Sequence, residues 1–152
     1  MKPTQYISKN AVERDNPRFE KFILLESKTE SLLIVEKLID EISGRYKFGQ
    51  KFYGKILVAV MESVQNAIKH GNAFDPQKLV DLRVKIADNK LVIVTRDQGN
   101  GFDINSVPDP TALFYITESS GRGTFLMKKL SDELNYYEGG RVSELIFNLS
   151  AV

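Results

Sequence analysis

Apolar residues first gather at Phe22-Ile-Leu-Leu25, a run that reads as a buried strand. The polar stretch Ser27–Ser31 offers hydroxyls for helix capping. Leu32, Leu33, Val35, Leu38, Ile39 and Ile42 then recur at helical spacing through about Arg45. Gly44 and Gly49 loosen the next connection, and a second helical pattern runs from about Lys51 to His70, with Gly71-Asn72 as a left-handed stop signal. Val80–Ile86 alternates as a half-buried strand should, Leu91–Thr95 is a second strand, and Asp88-Asn89 between them is a hairpin turn. A long connection from Asp103 to Ser120 leads to a helix from about Gly123 to Glu133. The strands Leu134–Tyr137 and Ser143–Leu149 close the chain, joined through Gly139-Gly140.

This order predicts an α+β two-layer sandwich, a mixed β-sheet with its helices on one face. Residues 1–18, with Pro3 and Pro17, read as a polar leader, and residues 19–152 as a single domain. Internal repeats and low-complexity tracts are absent.

Composition narrows the function. The 21 basic and 20 acidic residues leave a net charge of +1, which gives no electrostatic footprint for nucleic acid or an anionic membrane. Without cysteine there is no disulfide, thiolate nucleophile or thiolate metal site, and a single histidine makes a zinc site unattractive. The first residues lack the apolar core of a signal peptide, and the longest apolar run, Ile56–Met61, falls far short of the ~20 residues that cross a bilayer. A cytoplasmic protein is the expectation.

Three segments carry chemistry. On the Lys51–His70 helix, Leu57, Val60, Met61, Val64, Ala67 and Ile68 form one side, while Glu62, Asn66, Lys69 and His70 share the other. Val58 and Ala59 intrude on the polar side, which is therefore expected to be partly covered. Asn is also a mediocre choice for an exposed helix interior. An amide and a carboxylate one turn apart can hold a magnesium ion with one group and a reacting hydroxyl with the other. His70 could be a phosphoacceptor or a ligand, but a helix-end residue facing the dipole is its ordinary role.

Second, Asp97 follows an apolar strand and opens Asp97-Gln-Gly99-Asn-Gly101-Phe102. An acceptor fixed at a strand end can take a hydrogen bond from an adenine amino group, and the glycines leave room for the base. A dinucleotide fingerprint would need a third glycine at Ile104, and no P-loop sequence occurs. Third, Gly121-Arg122-Gly123-Thr124 opens a helix and presents amide donors suited to phosphate oxygens. The long connection between the glycine turns could fold over a nucleotide as a lid.

Together these segments resemble the GHKL superfamily of ATP-binding domains, and within it the small anti-sigma-factor serine/threonine kinases. Glu62-x3-Asn66-Ala67-x2-His70-Gly71 is similar to that family's N-box and Asp97-x-Gly99-x-Gly101-Phe102 to its first glycine box. Pro108-Asp-Pro-Thr111 is similar to its lid motif, and Gly121 through Glu133 to its second glycine box. The resemblance implies a Bergerat ATP-binding fold with ATP and Mg2+ as cofactors. Asn66 would hold the metal, Asp97 would accept from adenine, and Lys69, His70 and the glycine boxes would surround the nucleotide. Glu62 would be the base that orients the target hydroxyl. The implied partners are a sigma factor and an anti-anti-sigma protein of the STAS type, and homodimerisation is usual in the family.

The sequence departs from the family in the lid, where Ala112-Leu-Phe-Tyr-Ile116 is apolar instead of polar. Such a stretch is expected to dock on the domain or a partner and stiffen the lid. The main rival reading is a non-catalytic module that binds nucleotide and only captures partners; Glu62 beside Asn66 argues for the enzyme. A histidine-kinase catalytic domain fits less well because the sole histidine lies inside the nucleotide helix. A stand-alone ATPase fits less well again, because no transducer domain follows Val152.

Overall fold

The computed structural model describes residues 18–101 and 119–149. Residues 1–17 of the leader, Phe102, the lid motif and the apolar stretch Ala112–Ile116 lie outside the described residues.

The chain runs β1 (Phe19–Glu26), α1 (Leu32–Tyr46), α2 (Gln50–Asn66), β2 (Leu79–Ala87), β3 (Lys90–Arg96), α3 (Ser119–Leu130), β4 (Glu133–Tyr137) and β5 (Val142–Asn148). The strands form one sheet in the order β1-β2-β3-β5-β4. The α+β sandwich is as the sequence predicts, but the sheet is not mixed: among the described residues every neighbouring pair is antiparallel. Connectivity explains this. Two successive helices, α1 and α2, return the chain to the end of the sheet it left, so β2 runs against β1. The crossover through α3 makes β4 parallel to β3, but β5 inserts between them and opposes both.

Asp88 and Asn89 both adopt positive φ (49° and 59°), the conformation of a type I′ hairpin turn whose twist matches the strands. Gly139 sits at φ 65° in the corresponding β4–β5 connection. The capping hydroxyls behave differently from expectation. No side chain caps α1 or the 3-10 turn Thr29–Ser31 before it. Instead Ser31 Oγ donates to the Glu26 carbonyl and Ser27 Oγ to the Lys78 carbonyl, tying the turn to the sheet.

Val80, Leu82, Val84 and Ile86 of β2, Leu91 and Ile93 of β3, and Leu145 and Phe147 of β5 face the helices, meeting Val35, Leu38, Ile39 and Ile42 of α1 and Ile56, Val60 and Val64 of α2. β3 is central, so its alternate residues Val92 and Val94 are buried on the other face with Val142 and Ile146. β1 is an edge strand, which overturns its reading as a buried run: Phe22 and Leu24 point to the outer face and are 51% and 55% exposed. On α2, Val58 lies one turn before Glu62 on the polar side, as expected, and is exposed; Ala59 does not intrude there and sits in the core instead.

One aromatic chain fixes the direction of α2. Phe48, Phe52 and Phe147 meet edge to face, so the start of α2 lies over the end of the sheet where Phe147 pairs with Leu91. Ser63 then hydrogen-bonds Thr95 at 3.0 Å at the far end. From Phe52 to Ser63 a helix advances ~16 Å, and from Leu91 to Thr95 a strand advances ~13 Å. Helix and strand therefore run side by side and deliver their C-terminal ends to one place. Phe147 is 1% exposed, and Phe147→Ala is expected to cost about 3–5 kcal/mol through lost burial and cavity formation, as read by denaturant unfolding.

Candidate functional site

That shared end holds the polar residues singled out in the sequence. The α-helix stops at Asn66, and Ala67–Gly71 is a π-helical turn, closed by Asn72 N–H donating to the Ala67 carbonyl at 2.8 Å. The expected left-handed stop at Gly71-Asn72 is corrected: Asn72 is at φ −89°, and the left-handed residues are Ala73 and Phe74. Gly71 is required for a different reason. A Cβ there would stand 2.3 Å from the Asp97 carboxyl group, so only glycine lets the helix end close on that carboxylate. Gly99 is locked in turn, since its Cβ would meet the Gly71 carbonyl oxygen at 2.0 Å.

Asp97 is 9% exposed, its backbone N–H donates to the Arg141 carbonyl at 3.0 Å, and its carboxylate accepts from Gly99 N–H at 2.8 Å. Burial pushes its carboxyl above the ordinary carboxylate range, an effect partly offset by the Gly99 N–H and by Arg141 and Lys78. Gly101 takes φ 77°, with its missing Cβ directed at the Gly139 carbonyl.

Glu62 and Asn66 are half-buried, one turn apart on α2. Gly123 of α3 packs against both. A Cβ there would lie 2.7 Å from Glu62 Oε2 and 3.4 Å from the Asn66 amide nitrogen. Only a bare α3 backbone can come this close to a carboxylate and a carboxamide, a pair of groups whose chemistry suits a magnesium ion and its oxygens. α3 begins at Ser119 and ends at Leu130, so Gly121 and Gly123 lie in its first turns, and Glu133 belongs to β4. Thr124 hydrogen-bonds the half-buried Tyr136, which ties the middle of α3 to β4. Lys69 and His70 are exposed on the π turn, away from the buried part of the helix. For Arg122 only its place in α3 is described.

Ser63, Thr95 and Asn72 were not among the site residues expected from the sequence. The first two are hydroxyls on otherwise apolar faces, a signal that was legible: a polar residue in a buried position needs a partner, and each is the other's.

Residues 25–147 match the histidine kinase-like ATPase domain family. The anti-sigma F factor of Anoxybacillus flavithermus is 34% identical over 103 residues, covering 63% of this chain and 69% of that protein. The serine-protein kinase RsbW of Staphylococcus epidermidis is 30% identical over 93 residues, covering 57% of this chain and 58% of the kinase. That of Bacillus licheniformis is 25% identical over 114 residues, 71% of each. The crystal structure of the RsbU and RsbW domains of Rv1364c from Mycobacterium tuberculosis superposes with a TM-score of 0.60 at 17% identity, covering 88% of this chain and 32% of that one, a likeness of fold.

Asp97 supplies a prediction. Because its native carboxyl holds its proton more tightly than in the unfolded chain, stability falls as pH rises from the ordinary carboxylate value through the raised native one, then levels off. At neutral pH the ionised group therefore opposes folding. Asp97→Asn, which keeps an acceptor for Gly99 N–H, is expected to melt no lower than wild type at neutral pH, with any advantage shrinking near pH ~4. Thermal melts at the two pH values check this, and a lower neutral-pH Tm for the variant contradicts it.

Proposed function

This chain belongs to the histidine kinase-like ATPase family, in its anti-sigma-factor serine/threonine kinase type, and we propose that it transfers phosphate from ATP to an anti-anti-sigma protein of the STAS type and otherwise sequesters a sigma factor. The observation that carries this reading is the convergence at Gly123. Glu62 and Asn66 reach one bare stretch of α3 backbone, while the same helix end closes on Asp97 through Gly71.

In this reading the Asp97 carboxylate accepts a hydrogen bond from the adenine amino group. Gly99 and Gly101 let the base lie against backbone. The free amides of the first turn of α3, which includes Gly121 and Arg122, would meet the phosphates at the positive end of a helix dipole, with Gly123 and Thr124 one turn further in. Asn66 would hold Mg2+, which supplies charge neutralisation on the phosphates. Glu62 orients the substrate hydroxyl and takes up its proton. Phosphoryl transfer has a loose transition state, so placement of the hydroxyl matters more than the strength of the base. Homodimerisation belongs to the same proposal, and the edge strand β1 with its exposed Phe22 and Leu24 supports it.

Asn66→Ala is expected to abolish Mg·ATP-dependent phosphotransfer to the anti-anti-sigma protein. Glu62→Gln should slow it by about 10²-fold or more while leaving ATP affinity within a few-fold of wild type. Transfer from radiolabelled ATP, with nucleotide affinity by calorimetry, reads both. Wild-type turnover in Glu62→Gln removes that residue from its role. Absence of any transfer by the wild-type chain, with ATP still bound, would favour a partner-capturing module.

A further inference from the structure

The backbone that carries Asp97 is also held by a side chain from the end of the π turn. Asn72 is 1% exposed. Its amide oxygen accepts from Gln98 N–H at 2.7 Å, and its amide nitrogen donates to the Leu79 carbonyl at 3.1 Å and to Ser27 Oγ at 3.0 Å. Since Gln98 N–H can only donate and the Leu79 carbonyl can only accept, the orientation of this amide is fixed by its partners. The surroundings are doubly tied: the Gln98 side chain accepts from Leu79 N–H at 2.7 Å, and Ser27 Oγ donates to the Lys78 carbonyl at 2.5 Å. Asn72 also closes the π turn through its own N–H.

One buried residue thus joins the end of β1, the start of β2, the π turn after Asn66 and the segment leaving β3. Sheet pairing of β3 with β2 and β5 ends at Arg96. Beyond it, Asp97 N–H still reaches the Arg141 carbonyl, and the next amide, Gln98 N–H, is taken by Asn72. Without that bond the amide next to Asp97 loses its partner, and the carboxylate is held less tightly in its direction.

We propose that Asn72 is a positioning residue for base selectivity: it fixes the Asp97–Gln98 backbone so that the Asp97 carboxylate stands only where a donor amine can meet it. The proposal rests on Asp97 being the acceptor for the nucleotide base. A rigid buried acceptor rejects a ligand that presents a carbonyl in place of an amine, because the carboxylate then faces another acceptor; a mobile one can turn to the neighbouring ring N–H and relaxes that rejection.

The test compares ATP with inosine triphosphate, which carries a carbonyl where ATP carries its amino group, by calorimetry on the full chain, with Tm recorded separately. Wild type should bind ATP more tightly than inosine triphosphate by about tenfold or more. Asn72→Ala should reduce that ratio at least several-fold. Ser27→Ala, which frees the far end of the same amide, should reduce it less, and it carries the test alone if Asn72→Ala does not fold. A lowered Tm with an unchanged ratio in the folded variant overturns the proposal, because a merely structural asparagine would do just that. A wild type with no preference between the two nucleotides removes the role of Asp97 itself, and the proposal with it.

Discussion

The site depends on one close approach, that of the Gly71 backbone to the Asp97 carboxyl group. With room for a Cβ absent by more than an ångström on both sides of this contact, at Gly71 and at Gly99, the helix end and the strand end are interlocked. The contact is possible only because α2 and β3 run in the same direction and finish together, a consequence of Phe52 packing on Phe147 at one end and Ser63 bonding Thr95 at the other. The core therefore sets the position of two functional groups that lie 31 residues apart in the chain, as a difference between positions 97 and 66.

The π turn completes this arrangement. Widening the last turn from Ala67 to Gly71 moves the chain out of α-helical register, so Asn66 stays on the helix face that meets Gly123 while Gly71 and Asn72 swing to the Asp97 segment. A continuous α-helix to His70 would separate those two duties. Lys69 and His70 are left on the exposed side of the turn as a result.

Much of the fold was legible from hydrophobic spacing. The alternation in Val80–Ile86 and the Asp88-Asn89 turn reappear as β2 and its hairpin, because each is specified locally. Phe22-Ile-Leu-Leu25 misled because an apolar run looks the same on a buried strand as on an edge strand with one open face. Sheet direction was not legible at all, since the insertion of β5 between β3 and β4 is a long-range choice. At the site, the spacing of Glu62 and Asn66 gave their shared face, and the glycine at 123 gave a close approach without revealing to what. The role of Asn72 could not be read, because its partners Ser27, Leu79 and Gln98 come from three separate segments.

The central claim is that the end of α2, the segment after β3 and the start of α3 grip a single nucleotide. Titration of isotopically labelled protein with magnesium and a non-hydrolysable ATP analogue, followed by amide NMR, tests it most directly. The account predicts that amides in 66–72, 97–99 and 121–124 shift together with one dissociation constant. Shifts confined to one of these segments, or centred on the outer face of the sheet, would contradict it.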